Sequence, residues 1–354
     1  MRTPGTTMLP MLRILLGSQQ TGLILVILLL GAVLSVFAGY HVDRSTGELV
    51  NNFLNSRTLM QTATDASFFV IMAVGATMVI ISGGIDLSVG SIYALSGVMT
   101  AMVLRSMAPE APFAVVALAV VTCVSLGVLC GLLNGLMVVG LRVHPFIVTL
   151  GTMWVFRGVA FVASEAESIL VPQPLTDAIK LSIGSDALYP MPMIIMLLIT
   201  AAGAVYLSRT VMGRHIFAVG GNVEAGRYAG LRIDRILVGV YVISGLTAGI
   251  AALVGSSYYG SASCADATGY ELYVIASAVV GGASLRGGRG SAVNAMLGAM
   301  LIVLIRQSIR TLHLDQNYEW VVIGCAIIVA VVLDQVNRRL TARRLAGADR
   351  AMTV

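Results

Sequence analysis

The sequence predicts an all-α, polytopic membrane protein of about ten transmembrane helices, and three observations predict it. Of its 354 residues, 57% are hydrophobic and only 11% are charged. A soluble domain carries about a quarter charged residues, so this chain has too few to coat a globule of its size. The apolar runs extend far beyond the about 4–8 residues of a buried strand. Mean hydropathy is +0.91, which points the same way.

A span needs about 20 apolar residues to cross about 30 Å of hydrocarbon. Ten segments qualify: 21–39, 58–82, 88–106, 112–139, 146–164, 189–208, 236–258, 270–283, 289–311 and 318–336. The eighth is short and glycine-rich and reads as a broken or re-entrant helix. The first follows Arg2 and Arg13 like a signal peptide, but it is long for one and lacks a small-x-small cleavage site. The chain divides into an N-terminal segment 1–20, a membrane domain 21–336 with a long polar loop at 209–235, and a basic tail 337–354.

Basic residues orient the spans, since cytoplasmic loops collect Lys and Arg. There are 22, of which 21 are Arg and one is Lys180. With the N-terminus in the cytoplasm, Arg2 and Arg13, Arg142, five arginines of 209–235, Arg286 and Arg289, and the five arginines of the tail all fall on the cytoplasmic side. Both chain ends are then cytoplasmic. The net charge of +5 is therefore topological and no sign of nucleic-acid binding. Lys180 lies in Ala-Ile-Lys-Leu, so the chain has no phosphate-cradling P-loop and any ATP is hydrolysed by a partner. Cys123, Cys130, Cys264 and Cys325 form no CxxC, and the four histidines form no HExxH pair, so neither a metal nor a cofactor is expected. Gly131–Gly135 and Gly245–Gly249 read as helix-packing surfaces.

Four stretches carry the functional signal, one of them Tyr270-Glu-Leu272 leading into Gly281–Gly290, a glycine-rich turn that lacks the Lys and the strand–helix context of a phosphate loop. In Ser82-Gly-Gly-Ile-Asp-Leu-Ser-Val-Gly-Ser91, Gly83 and Gly84 break the helix. Asp86 and Ser88 have the chemistry to cap the next one; a gate or pathway element is the alternative, because transporters place sites at broken helices. Val79-Ile-Ile-Ser-Gly-Gly84 has a weak echo in Ala278-Val-Val-Gly-Gly282. Asp65 is either a functional intramembrane acid or an interfacial cap. In the loop 209–235, Asn222 is placed to cap a short helix from Val223, with Glu224 in its first turn and Gly230 stopping it. In His144-Pro-Phe-Ile-Val-Thr-Leu-Gly-Thr-Met153, Pro145 suits a first helical turn. Arg157 beyond it, costly within a span unless paired, either pairs with a neighbouring acid or faces the pathway.

Taken together, Ser82–Ser91, Pro145-Phe-Ile-Val-Thr-Leu-Gly-Thr152, Arg157-Gly158, Ala218-Val-Gly-Gly-Asn222, Gly269-Tyr-Glu-Leu272 and Val280-Gly-Gly-Ala-Ser-Leu-Arg-Gly-Gly288 resemble the permeases of bacterial ATP-binding-cassette sugar importers, the ribose/xylose/galactose class, over about residues 60–335. The resemblance implies a pair of permeases in the bacterial inner membrane, in contact with lipid. A partner ATPase docks below and a periplasmic sugar-binding protein docks above. It assigns Asn222, Glu224, Ala225, Arg227 and Gly230 to ATPase coupling. Independently of the resemblance, the helix break and the intramembrane charges make Gly83, Gly84, Asp86, Ser88, Asp65 and Arg157 the candidates for the translocation path or gate. Gly226 departs from the Ala common in the family, and Tyr273 from an acid. The function expected is transport of a sugar or polyol by alternating access, without bond chemistry in this chain. The alternatives are an ion-coupled transporter using Asp65 and a permease for branched-chain amino acids.

Overall fold

The computed structural model describes residues 19–42, 47–108, 111–182, 188–315 and 317–322, with isolated positions beyond. The segment 1–18, the basic tail and most of the tenth expected span lie outside the described residues. Twelve helices are present among those described. Eight are long and apolar enough to cross a membrane: α1 (Gln19–Phe37), α2 (Ser56–Ile81), α3 (Val89–Met107), α4 (Pro112–Leu141), α5 (Pro145–Ser164), α7 (Met191–Arg209), α10 (Ile233–Tyr259) and α12 (Ala292–Thr311). Three are short polar-end elements: α6 (Gln173–Ile179), α8 (Val211–Gly221) and α9 (Val223–Tyr228). The expected eighth span is α11 (Tyr270–Val280). At 1.5 Å per residue it is about 16 Å long, half a membrane crossing. Among the described residues there are also two two-stranded ribbons: β1 (Tyr40–Val42) with β2 (Leu49–Asn51), and β3 (Ile169–Leu170) with β4 (Ser261–Ala262).

The expected loop 209–235 is largely helical, because Thr210 caps α8 by accepting a hydrogen bond from the Gly213 amide at 3.0 Å.

Helices α2 and α10 form the centre and run antiparallel. Phe68 packs on Tyr259 at one end, and Tyr241 approaches Gly84 at the other. Almost all of α2 from Ala66 to Ile81 is buried, which is why its apolar residues run all round rather than in a stripe. Helix α4 packs on α10 through glycines: Gly127, Gly131 and Gly135 face Gly245, Gly249 and the backbone at Val238–Val242. Any Cβ there would strike backbone atoms, so the small residues set the approach of the two axes. In contrast, α1 exposes Leu25, Leu28, Leu29 and Val36, as a helix bathed in lipid does.

One end of the bundle gathers the arginines. A cleft of about 780 Å³ between the end of α4, α9 and the start of α10 is lined by Arg142, Arg227, Arg232 and Arg235. Gln19, at the start of α1, and the loop 281–290 lie at this same end. Asp65 and Arg310 mark the opposite end.

Candidate translocation and coupling sites

The helix break after α2 is built by its glycines. Gly83 takes φ +89°, and the Gly84 amide reaches back to the Val79 carbonyl at 3.0 Å, the turn that satisfies the last carbonyls of a helix. The echo at 278–282 forms the same turn: Gly282 has φ +88° and the Ala283 amide bonds to the Ala278 carbonyl at 2.8 Å. The two ends are packed together through Ile80, Ala278 and Ala283.

Past its turn, the chain re-enters the bundle. Asp86 is 1% exposed. One carboxylate oxygen accepts from the Ser88 amide (2.9 Å) and hydroxyl (2.6 Å), and the other from the Ser244 hydroxyl (2.8 Å) near the middle of α10. Asn134 of α4 donates to the Ser88 hydroxyl at 2.7 Å. The Ile85 carbonyl accepts from Thr149 of α5 at 3.1 Å and from Tyr241 at 3.4 Å. The expected capping of α3 by Ser88 is not made: its side chain forms no cap bond, because its oxygen accepts from Asn134 instead of a helix amide. Asp86 ties the break directly to α10, while Ser88 and the Ile85 carbonyl tie it to α4 and α5. Burying a carboxylate is costly without donors, and here hydroxyl and amide donors supply them.

Arg157 of α5 anchors a second re-entrant turn, 263–269. It donates to the carbonyls of Cys264 (2.8 Å), Asp266 and Ala267 (3.3 Å). Its partners are thus backbone oxygens, not the acid side chain of the sequence-based ion pair. Asp266 folds back onto the Ser263 amide at 2.8 Å. The starts of α3 and α11 meet here, for a Cβ on Gly90 would collide with the Ala267 carbonyl and the Glu271 carboxylate. The break before α3 and the turn before α11 therefore lie side by side inside the bundle.

Asp65 is the tenth residue of α2, so it is no helix cap. It forms an ion pair with Arg310 of α12 at 3.0 Å and accepts from Gln61 at 2.9 Å.

In the segment 222–230, Asn222 caps α9 by accepting from the Ala225 amide at 3.0 Å. Gly230 takes φ +80° and ends it, with the Leu231 amide on the Gly226 carbonyl at 3.0 Å. Glu224 and Arg227 are both exposed and sit 3.7 Å apart, a surface pair of small energetic value. Tyr228 is 89% exposed. Upstream, Gly220 of α8 lies against the Ile81 carbonyl and the Gly288 amide, which are themselves hydrogen-bonded at 2.8 Å. Only a residue without Cβ fits. Helix α8 thereby touches the end of α2 and the turn after α11 at one joint.

A family model described as branched-chain amino acid transport system / permease component matches residues 58–331. The chain belongs to this permease family. Among curated proteins, it is 35% identical over 283 residues to the D-allose transport system permease protein AlsC of Escherichia coli K12, covering 80% of this chain and 85% of that one. It is 36% identical over 290 residues to the ribose import permease protein RbsC of the same strain, covering 80% and 86%. The fructose import permease protein FrcC of Rhizobium meliloti is 33% identical over 304 residues, covering 83% and 82%. No solved structure matches.

This permease is a multi-pass membrane protein of the ATP-binding-cassette importer class. Sequence reasoning missed Asn134, Tyr241 and Ser244, which read as ordinary residues of apolar spans. It also missed the carbonyls of 264–267 as the Arg157 partner, Gly220 as the joint, and Tyr228 as an exposed aromatic. Only Tyr228 left a trace: an aromatic in a polar capped helix has little intramolecular reason to be there.

Proposed function

We propose that this permease forms the membrane path of an importer for a neutral monosaccharide or related polyol, with ATP hydrolysed by a partner subunit. The likeness to permeases named for allose, ribose and fructose, at 33–36% identity over most of both chains, is the observation that carries this reading. The arginine-lined cleft and α9 face the cytoplasm of a bacterium, in the inner membrane, by the positive-inside rule. The ATPase docks there, gripping exposed Glu224, Arg227 and Tyr228. A periplasmic sugar-binding protein delivers cargo at the Asp65–Arg310 end, and two permease copies enclose the path.

Mechanically, movement of α9 and α8 reaches the bundle through Gly220. The joint holds both the end of α2 and the turn after α11, so it acts on the two broken elements at once. Asp86 and Arg157 fix the inner ends of those breaks, giving the gate two rigid hinges rather than a floppy loop. The ion-coupled alternative loses its candidate, because Asp65 is held by Arg310. Reconstitution in proteoliposomes with the co-purified ATPase and binding protein tests the reading. ATP-dependent uptake of a monosaccharide is expected; uptake of branched-chain amino acids alone, or uptake indifferent to ATP, sinks it.

A further inference from the structure

A second cavity, of about 240 Å³, opens at the Asp65–Arg310 end between α2, α10, α11 and α12. It is smaller than the about 300–1,000 Å³ of sites for drug-sized ligands. Gln61, Asp65, Arg306 and Arg310 supply its polar groups, and aromatic rings supply its walls. Phe69 and Tyr270 pack with centroids 4.4 Å apart, and the Arg306 guanidinium lies 5.2 Å from the Phe69 ring.

Its charges are balanced in pairs. Arg310 bonds to Asp65 at 3.0 Å, and Arg306 bonds to Glu319 at 2.6 Å. No surplus charge is left to attract an ionic cargo. Gln61 donates one N–H to Asp65 and its carbonyl accepts from the Tyr258 hydroxyl, both at 2.9 Å, so its second N–H and the spare guanidinium N–H groups and carboxylate lone pairs bond a hydroxyl-rich rim, while a ring face packs against apolar C–H groups. A pyranose or furanose ring presents both surfaces. Tyr270 forms one wall, is the first residue of α11, and has its ring 6.3 Å from Tyr93 of α3. It therefore stands between the cavity and the place where the starts of α3 and α11 meet.

We infer that this cavity is a receiving site for one neutral monosaccharide, recognised by Gln61, the Asp65–Arg310 pair and the Tyr270 ring. The inference rests on the sugar-importer reading and adds where the cargo is first held.

The permease–ATPase complex in lipid nanodiscs tests it, by saturation-transfer-difference NMR with millimolar D-ribose and D-allose, and with L-leucine for comparison. Ring C–H protons of at least one sugar are expected to receive saturation, and L-leucine none. Gln61→Leu and Tyr270→Leu should each weaken that binding about tenfold, the order of one lost polar or stacking contact. Arg310→Lys, which keeps the pair with Asp65, should weaken it less than Arg310→Gln. Absence of transfer in the wild type overturns the site, as does unchanged transfer in both leucine variants of monodisperse complex. ATP-driven sugar uptake measured on the same preparation separates the two ideas: uptake with no binding here removes only this site, whereas no sugar uptake removes the importer reading.

Discussion

Replacing Gly220 by Ala places a methyl group where the Ile81 carbonyl oxygen and the Gly288 amide already stand. Both neighbours are backbone, so neither can swing aside as a side chain would. Inserting a methyl into such a site costs about 1–3 kcal/mol. Separating Gly288 from Ile81 forfeits a hydrogen bond worth about 0.5–1.5 kcal/mol. The joint is thus weakened by about 1.5–4.5 kcal/mol, enough to decouple α8 from the ends of α2 and α11. The adjacent glycine is the internal control. A Cβ on Gly221 meets nothing within 4 Å, and Ala is a better helix former than Gly by up to about 1 kcal/mol. In the reconstituted complex, Gly220→Ala should hydrolyse ATP with little uptake and lower the thermal midpoint of the solubilised permease, whereas Gly221→Ala should match the wild type. Equal coupling ratios in the two variants would refute the joint.

Asp86→Ala leaves three donated bonds without an acceptor, at about 1–3 kcal/mol each, and should abolish uptake, while Asp86→Asn keeps an acceptor and should retain most of it; an inactive but folded Asn variant would show that the charge itself is needed. Arg157→Lys cannot span three carbonyls with a planar fork, so it should lose uptake nearly as fully as Arg157→Met, and a fully active Lys variant would argue against the carbonyl clamp. Gly226→Ala should stabilise α9 by up to about 1 kcal/mol, because the added methyl meets only Ile233 and Leu231 at 3.4 and 3.5 Å; a lowered thermal midpoint would contradict this. Tyr228→Ala and Glu224→Arg should leave the isolated permease as stable as the wild type yet reduce co-purification of the ATPase, and unchanged recovery would remove α9 as the docking element.

How legible the protein was in its sequence depended on the distance over which each interaction acts. The long helices were legible because an apolar run must cross lipid and satisfy its own backbone. Local grammar was legible too: Asn222 before α9, Gly230 after it, and the Gly83 and Gly282 turns all act within a few residues. The helix α8 was missed because Gly213, Gly220 and Gly221 argue against a helix, and the close approach that needs Gly220 is visible only once α2 is folded beside it. The cap at Ser88 was misread for a similar reason, since Asn134 of a distant helix takes its oxygen as acceptor. Arg157 found carbonyls instead of an acid because the turn 263–269 folds its oxygens inward. The pairings of Asp86 with Ser244, Arg157 with 264–267, Asp65 with Arg310 and Gly220 with Ile81 each join residues more than a hundred positions apart. The sequence alone therefore determined eight segments long and apolar enough to span the membrane and where several helices stop, because burial and backbone capping are local demands. Tertiary structure alone decided which polar groups meet inside the bundle, because that depends on how apolar surfaces pack, and many sequences of spans with the same pattern could pack in other ways.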